Sequence, residues 1–183
     1  MTVSKEQILD GALAVLRDGG TITLDSAAER VGLTKPGLMH HFRTKQALML
    51  GVVDHLVDGY ERELRRRLDV PLDEATTAQR LAAYLDWSLT GGFDESDLAM
   101  LTDPRLRTPM TKRWSERLDA WVGVPDDLPP ADRARLVAVR LIADGSWFAD
   151  ATGALPLAGA LRDDVRELAR QLLHPDHPGK DRR

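Results

Sequence analysis

The side chains best suited to chemistry lie close together near the N-terminus: Thr34, Lys35, His40, His41 and Lys45, with Thr23 shortly before them. They are cations and hydrogen-bond donors, the set that phosphate oxygens and base edges call for. From Arg30 through Val53 the chain carries Arg30, Lys35, Arg43 and Lys45 and no Asp or Glu, although acids outnumber bases 29 to 25 overall. An anion is the expected partner there. A positive run is usually only a solvated face. This one coincides with a groove-reading motif, which favours nucleic acid.

Other chemistry finds little support. The five histidines are His40, His41, His55, His174 and His177, and no HExxH or Cys/His spacing joins them. His40 and His41 point about 100° apart on a helix. His174, Asp176 and His177 are read as part of a loose tail rather than as a metal site. No GxSxG, Walker or Rossmann pattern is present. Asp126 with Asp127, and Asp163 with Asp164, are adjacent acids on solvent-facing stretches. No catalytic residue, metal or cofactor is expected, and the chain is not read as an enzyme. The alternative is a helical enzyme or small-molecule carrier in which the cationic motif is only scaffold.

The elements that position the cationic set are two short helices. Ala27, Ala28 and Val31 form an apolar stripe at helical spacing, and Gly32 supplies a residue able to turn the chain sharply. Leu38, Met39 and Phe42 repeat the stripe on a second helix, capped by Thr34, with Pro36 in its first turn and Gly37 beside it. Two such helices joined by a Gly-containing turn are the unit whose second helix enters the major groove of B-DNA. Lys35, Gly37 and His40 fall nearest the base edges, Gly37 by close backbone approach, while Thr23, Thr34, His41 and Lys45 fall on phosphates; Pro36 completes the expected DNA-binding set.

The segment AAERVGLTKPGLMHHFRTKQAL resembles the DNA-binding domain of the tetracycline-repressor (TetR) family of bacterial transcription regulators. The resemblance covers roughly the first quarter of the chain. One position departs from it: Met39 stands where the family usually has a Tyr whose hydroxyl bonds a phosphate. The resemblance therefore shifts the expected contact toward His40, His41 and Lys45. It implies a homodimer that presents two recognition helices to a palindromic operator on double-stranded DNA. It also implies a small-molecule effector, most simply one that releases a repressor.

Composition sets the bounds. With 183 residues, 43% of them hydrophobic and 30% charged, the chain can bury one core or two small ones. The absence of cysteine removes disulfides and thiolate metal sites. No apolar run is long enough to span a membrane and no signal-peptide core is present, so a bacterial cytoplasmic location and no membrane partner are expected. The net charge of −4 divides unevenly. Residues 1–47 hold six bases (Lys5, Arg17, Arg30, Lys35, Arg43, Lys45) against five acids (Glu6, Asp10, Asp18, Asp25, Glu29), which leaves −5 on the rest. A small oriented surface would meet DNA while the acidic bulk is repelled. Asp25 would then face away from DNA or pair with a base.

In chain order the pattern predicts an all-α protein of about nine helices. An N-terminal helix-turn-helix domain of three helices occupies residues 1–47, a ligand-binding and dimerisation domain 48–175, and a flexible tail 176–183. Ser4 and Gln7 form a capping box for the first helix, and Gly19 and Gly20 end it. A long helix from Lys45 to about Asp69 would span about 37 Å and act as a lever between the halves. Thr76 and Gln79 form a second capping box, Glu95–Leu101 is a short piece, and Asp103-Pro104 opens the next helix. A helix from Pro130 to about Thr152 and a last one after Pro156 complete the chain.

The resemblance implies that those last two helices of each subunit build a four-helix dimer interface, with Leu136, Val139, Ala143, Phe148, Leu161, Val165, Leu168 and Leu172 as its candidates; the alternative is that the penultimate helix is the central helix of a monomeric bundle. The penultimate helix is apolar on more than one face, which requires cover on several sides. For an effector pocket the candidates are Trp87, Phe93, Met100, Met110, Trp114, Leu118, Trp121, Asp144 and Trp147, with Arg113 as a further polar group. Large aromatics at helical spacing serve equally as plain core, so each of these carries both readings.

Overall fold

The computed structural model describes residues 3–174, and every described regular element is helical. They are α1 (Lys5–Arg17), α2 (Leu24–Arg30), α3 (Lys35–Met39), α4 (Lys45–Arg65), α5 (Thr77–Ser88), a 3-10 segment (Glu95–Leu101), α6 (Arg107–Val122), α7 (Pro130–Thr152) and α8 (Ala160–Leu173). Their starts follow local chemistry. Ser4 with Gln7, Thr23 with Ser26, and Thr76 with Gln79 close reciprocal capping boxes, each contributing about 1 kcal/mol.

The chain divides into two compact units: the part through Glu61 together with Phe93–Leu118, and Arg62–Gly92 together with the part from Asp119 onward. In the first, α1 lies on α2, α2 on α3, and the 3-10 segment on α1. Its core holds Ile8, Ala12, Leu16, Ala27, Ala28, Leu38, Phe42, Leu48 and Val52. Two glycines set how closely these pieces approach. A Cβ on Gly11 would lie 2.4 Å from Val31 Cγ1, and one on Gly51 would lie 2.9 Å from Phe42 Cε1 and 3.2 Å from Leu9 Cδ2. Gly51 is thus a close-packing position.

Within this unit α6 is tied to α4 by ion pairs. Arg113 grips both oxygens of Asp54 at 2.7 and 3.0 Å, while Arg117 reaches Asp54 at 3.0 Å, Asp58 at 2.6 Å and Glu61 at 3.3 Å. The Tyr60 and Trp114 rings meet edge to face, 5.6 Å between centroids. Tyr60 also donates its hydroxyl proton to Asp97.

In the second unit α7 packs on α5 and α8, and α8 on α5. A bidentate pair between Arg162 and Asp150, at 2.8 and 2.9 Å, joins α8 to α7 with both side chains largely buried. Arg162 also donates to the carbonyl oxygens of Leu157 and Leu89. Tyr84 on α5 donates to Asp144 on α7 at 2.7 Å. Burial, then the Asp144 charge, pushes the Tyr84 phenol well above its ordinary value, and burial raises Asp144 as well.

Several sequence expectations are corrected here. The long helix stops at Arg65, four residues before Asp69, which makes it about 31 Å long. Chain 66–67 continues as a turn in which Arg66 N bonds Arg62 O and Arg67 N bonds Leu64 O. The helix expected at Asp103-Pro104 begins at Arg107; Asp103 instead forms a turn by accepting from Arg105 N at 2.9 Å. Met39 does not join the buried stripe but is 41% exposed, because α3 ends there and Phe42 is buried from the following loop.

Leu136, Val139 and Ala143 are buried within their own chain, since they lie on the face of α7 turned to the core. They are not available to a second subunit. The exposed apolar positions of α7 are Leu141 and Phe148. The expected tail beyond residue 175, with Asp176 and His177, lies outside the described residues. Among the described residues no group of His, Cys, Asp or Glu is placed to hold a metal, and no helix is long and apolar enough to cross a membrane.

Candidate nucleic-acid interface

The interface is built from α2, the turn Val31–Leu33 and α3. Ala27 and Ala28 on α2 and Leu38 on α3 bury against the core, fixing one face of each helix inward. Gly32 makes the turn at φ +69°, a left-handed conformation that costs a residue with a Cβ about 1–2 kcal/mol. Leu33 N closes it by bonding Ala28 O at 2.9 Å. Thr34 then caps α3 by accepting from Gly37 N at 3.2 Å, and Pro36 sits in the first turn where its missing N–H is not needed.

The eight expected DNA residues divide by what already holds them. Pro36 and His40 are exposed, and Gly37 and His41 are half-buried. A Cβ on Gly37 would lie 3.3 Å from Thr34 Oγ1, so the close approach at Gly37 includes its own cap. The hydroxyl oxygens of Thr34 and Thr23 accept from Gly37 N and Ser26 N respectively. Lys35 pairs with Asp25 at 2.8 Å with both side chains at least half exposed, so Asp25 does meet a base.

Lys45 is held most firmly. Its Nζ lies 2.6 Å from Asp103 Oδ2, and this hydrogen bond, followed by that from Arg105 N, keeps the Asp103 carboxyl below its ordinary value. The motif's other bases differ sharply in how committed they are. Arg30 pairs with Asp18, and Lys5 lies over the Phe42 ring. Arg43 is exposed with no partner among the described residues. It was not singled out from sequence, although one signal was there: it is the base next to the α4 cap Thr44 with no acid for ten residues on either side.

The nine expected pocket residues fall in different units. Phe93, Met100, Met110, Trp114 and Leu118 belong to the first; Trp87, Trp121, Asp144 and Trp147 belong to the second. Met100, Met110, Leu118, Trp87 and Trp121 are buried. Trp121 is fully buried, and its indole N–H has no acceptor among the described residues. Arg113 is spent on Asp54. Two open depressions on the surface are lined by Val15, Asp18, Gly20, Ser26, Glu29 and Arg30, and by Asp126, Leu128, Pro130, Arg133, Ala134 and Val137. None of the nine lines either.

A capped helix-turn-helix ahead of a larger set of helices is the build of a DNA-binding transcription regulator. Residues 8–52 match the description "Bacterial regulatory proteins, tetR family", and residues 78–174 match "Tetracyclin repressor-like, C-terminal domain". The chain belongs to the tetracycline-repressor family of transcription regulators. It is 28% identical over 163 residues to the HTH-type transcriptional regulator BetI of Pectobacterium atrosepticum, covering 80% of this chain and 81% of that one. In fold it is similar to a TetR family member from Streptomyces coelicolor A3, with TM-score 0.59, 20% identity and coverage of 93% and 98%. It is also similar to the multidrug binding protein EbrR complexed with imidazole, with TM-score 0.58, 22% identity and coverage of 98% and 99%.

Proposed function

We propose that this regulator is a homodimeric, cytoplasmic repressor that occupies a palindromic operator and is released by a small, largely apolar effector. Residues 1–47 bind DNA; residues 48–175 bind the effector and pair the subunits. The observation that carries the reading is the α2–Gly32–α3 unit, whose inward face is buried while Pro36, His40 and Arg43 stand exposed on a stretch free of acids. His40, Gly37 and Lys35 read base edges, Lys35 exchanging Asp25 for DNA. His41, Arg43 and the first turns of α2 and α3 meet phosphates.

Pairing is supported by two exposed apolar stripes on helices that pack together. Leu141, Gly145 and Phe148 recur at helical spacing on α7, and Leu161, Val165, Leu168 and Leu172 do so on α8. Leu141, Leu161 and Leu168 are each 57% exposed and Phe148 47%, and large apolar side chains bared together on two packed helices favour a partner surface. A two-fold pair would set two recognition helices about 34–36 Å apart.

The effector is read as binding in the second unit; what supports this is the fully buried indole N–H of Trp121, which has no acceptor among the described residues and offers a donor to a ligand. EbrR, of similar fold, is described as a multidrug binding protein. To move the DNA-binding form from 99:1 to 1:99 the effector needs about 5.5 kcal/mol of differential affinity. The test is a gel shift on intergenic DNA beside the coding region, with and without apolar compounds, and light scattering for subunit number. A monomer that binds no duplex at low salt overturns the proposal.

A further inference from the structure

We infer that the turn at Arg105 and the start of α6 at Arg107 form a second phosphate-binding surface, which grips the DNA backbone beside the half-site read by α3. The inference rests on the DNA-binding reading above and extends it to a segment about 60 residues further along the chain.

Three observations point there. The first is charge. From Asp103 to Arg113 the chain holds Arg105, Arg107, Lys112 and Arg113 against the single acid Asp103. Asp103 is consumed by Lys45, Arg113 by Asp54, and Lys112 lies 3.7 Å from Glu116. Arg105 and Arg107 are both exposed, and neither side chain has a partner among the described residues. Two guanidiniums are left without a counter-charge.

The second observation is continuity with the interface. The Lys45–Asp103 bond of 2.6 Å fastens this turn to the first residue of α4, directly after the recognition segment and within the same compact unit. Arg105 is two residues from Asp103, so its Cα lies within about 7.6 Å of the Asp103 Cα. The guanidinium stem adds further reach, enough for a neighbouring phosphate on the strand that the start of α4 approaches. Arginine suits this role because its planar fork matches phosphate oxygens and holds its charge.

The third is order. Arg105 N donates to Asp103 Oδ1 and Leu106 N to Asp103 O, and Pro104 and Pro109 bracket the segment. The turn is therefore already set, and little chain entropy is lost when it meets DNA. It also explains how Lys45 can be neutralised without loss of cationic surface: the acid that quenches one charge brings two others to the same place.

The experiment compares the wild-type chain, Arg105→Gln/Arg107→Gln and Arg105→Lys/Arg107→Lys, using fluorescence anisotropy on a labelled mixed-sequence duplex. A length of about 40 base pairs accommodates both recognition helices of a dimer. Affinity is followed between about 50 and 200 mM NaCl. The Gln pair should lower the salt slope by about 1.8 per protomer, one counterion release per lost contact, and the Lys pair should restore it. Both variants should melt with the wild type. A Gln pair that keeps the full slope, or a Lys pair that fails to restore it, overturns the inference. Lys35→Ala separates the two readings: if the wild type binds and Lys35→Ala weakens it while the Gln pair does not, only the second surface is lost. If the wild type itself ignores the duplex, both fall together.

Discussion

Replacing Asp150 by Ala should destabilise the second unit more than any surface change of equal size. The substitution leaves the Arg162 guanidinium, whose side chain is 17% exposed, without the carboxylate it grips at 2.8 and 2.9 Å. Breaking a buried ion pair from one side costs about 3–5 kcal/mol. Arg162 keeps the carbonyl oxygens of Leu157 and Leu89 as acceptors, so the lower end, about 3 kcal/mol, is expected. For a chain of this size that is a fall of about 6–12 °C in Tm. The assay is thermal denaturation followed by helical circular dichroism at one fixed protein concentration, because association shifts Tm. Asp150→Ala/Arg162→Met removes the stranded charge and should recover most of the loss. The reasoning is refuted if the single variant melts with the wild type, or if the double variant is no better than the single.

Gly51→Ala places a methyl 2.9 Å from Phe42 Cε1 and should cost about 1–3 kcal/mol of packing, against about 1 kcal/mol gained in helix propensity. Net destabilisation, with weakened DNA binding through the displaced Phe42 loop, would show in urea melts and anisotropy. Burial alone would raise Asp54, but the hydrogen bonds and charges of Arg113 and Arg117 outweigh it and hold the carboxyl below its ordinary value. A depressed carboxyl contributes stability above its unfolded value of about 3.9 and loses it as pH falls through the folded one. Asp54→Asn should therefore lower the urea midpoint at neutral pH, and the gap from wild type should close toward about pH 3. Leu161→Glu with Phe148→Glu should yield a folded monomer by light scattering; a persistent dimer would remove the α7 and α8 stripes from the interface.

Much of the capping and turn design was legible because it is local. Ser4 with Gln7 and Thr76 with Gln79 announce helix starts through residues three apart, and Gly32 announces a left-handed turn by having no side chain. What stayed hidden is non-local. Nothing near Lys45 in the sequence names Asp103, 58 residues away, and nothing near Arg117 names the three acids of α4. The two sides of α7 could not be told apart either. Leu136, Val139 and Leu141 are equally apolar, and only packing against α5 and α8 decides that the first two are covered and the third is bare. Met39 misled for a related reason: the stripe with Leu38 and Phe42 presumes a helix that in fact ends at Met39.

The spacing of the charges between α4 and α6 has a mechanical corollary. Arg113 and Arg117 are four residues apart, and they face Asp54, Asp58 and Glu61, which follow one another at steps of four and three. Sliding α6 forward by one helical turn, about 5.4 Å, would bring Arg113 opposite Asp58 and Arg117 opposite Glu61, so every cation would again meet an acid. The ladder tolerates both positions, like a rack with evenly cut teeth. The detents that choose between them are the unrepeated contacts, Tyr60 against Trp114 and Lys45 against Asp103.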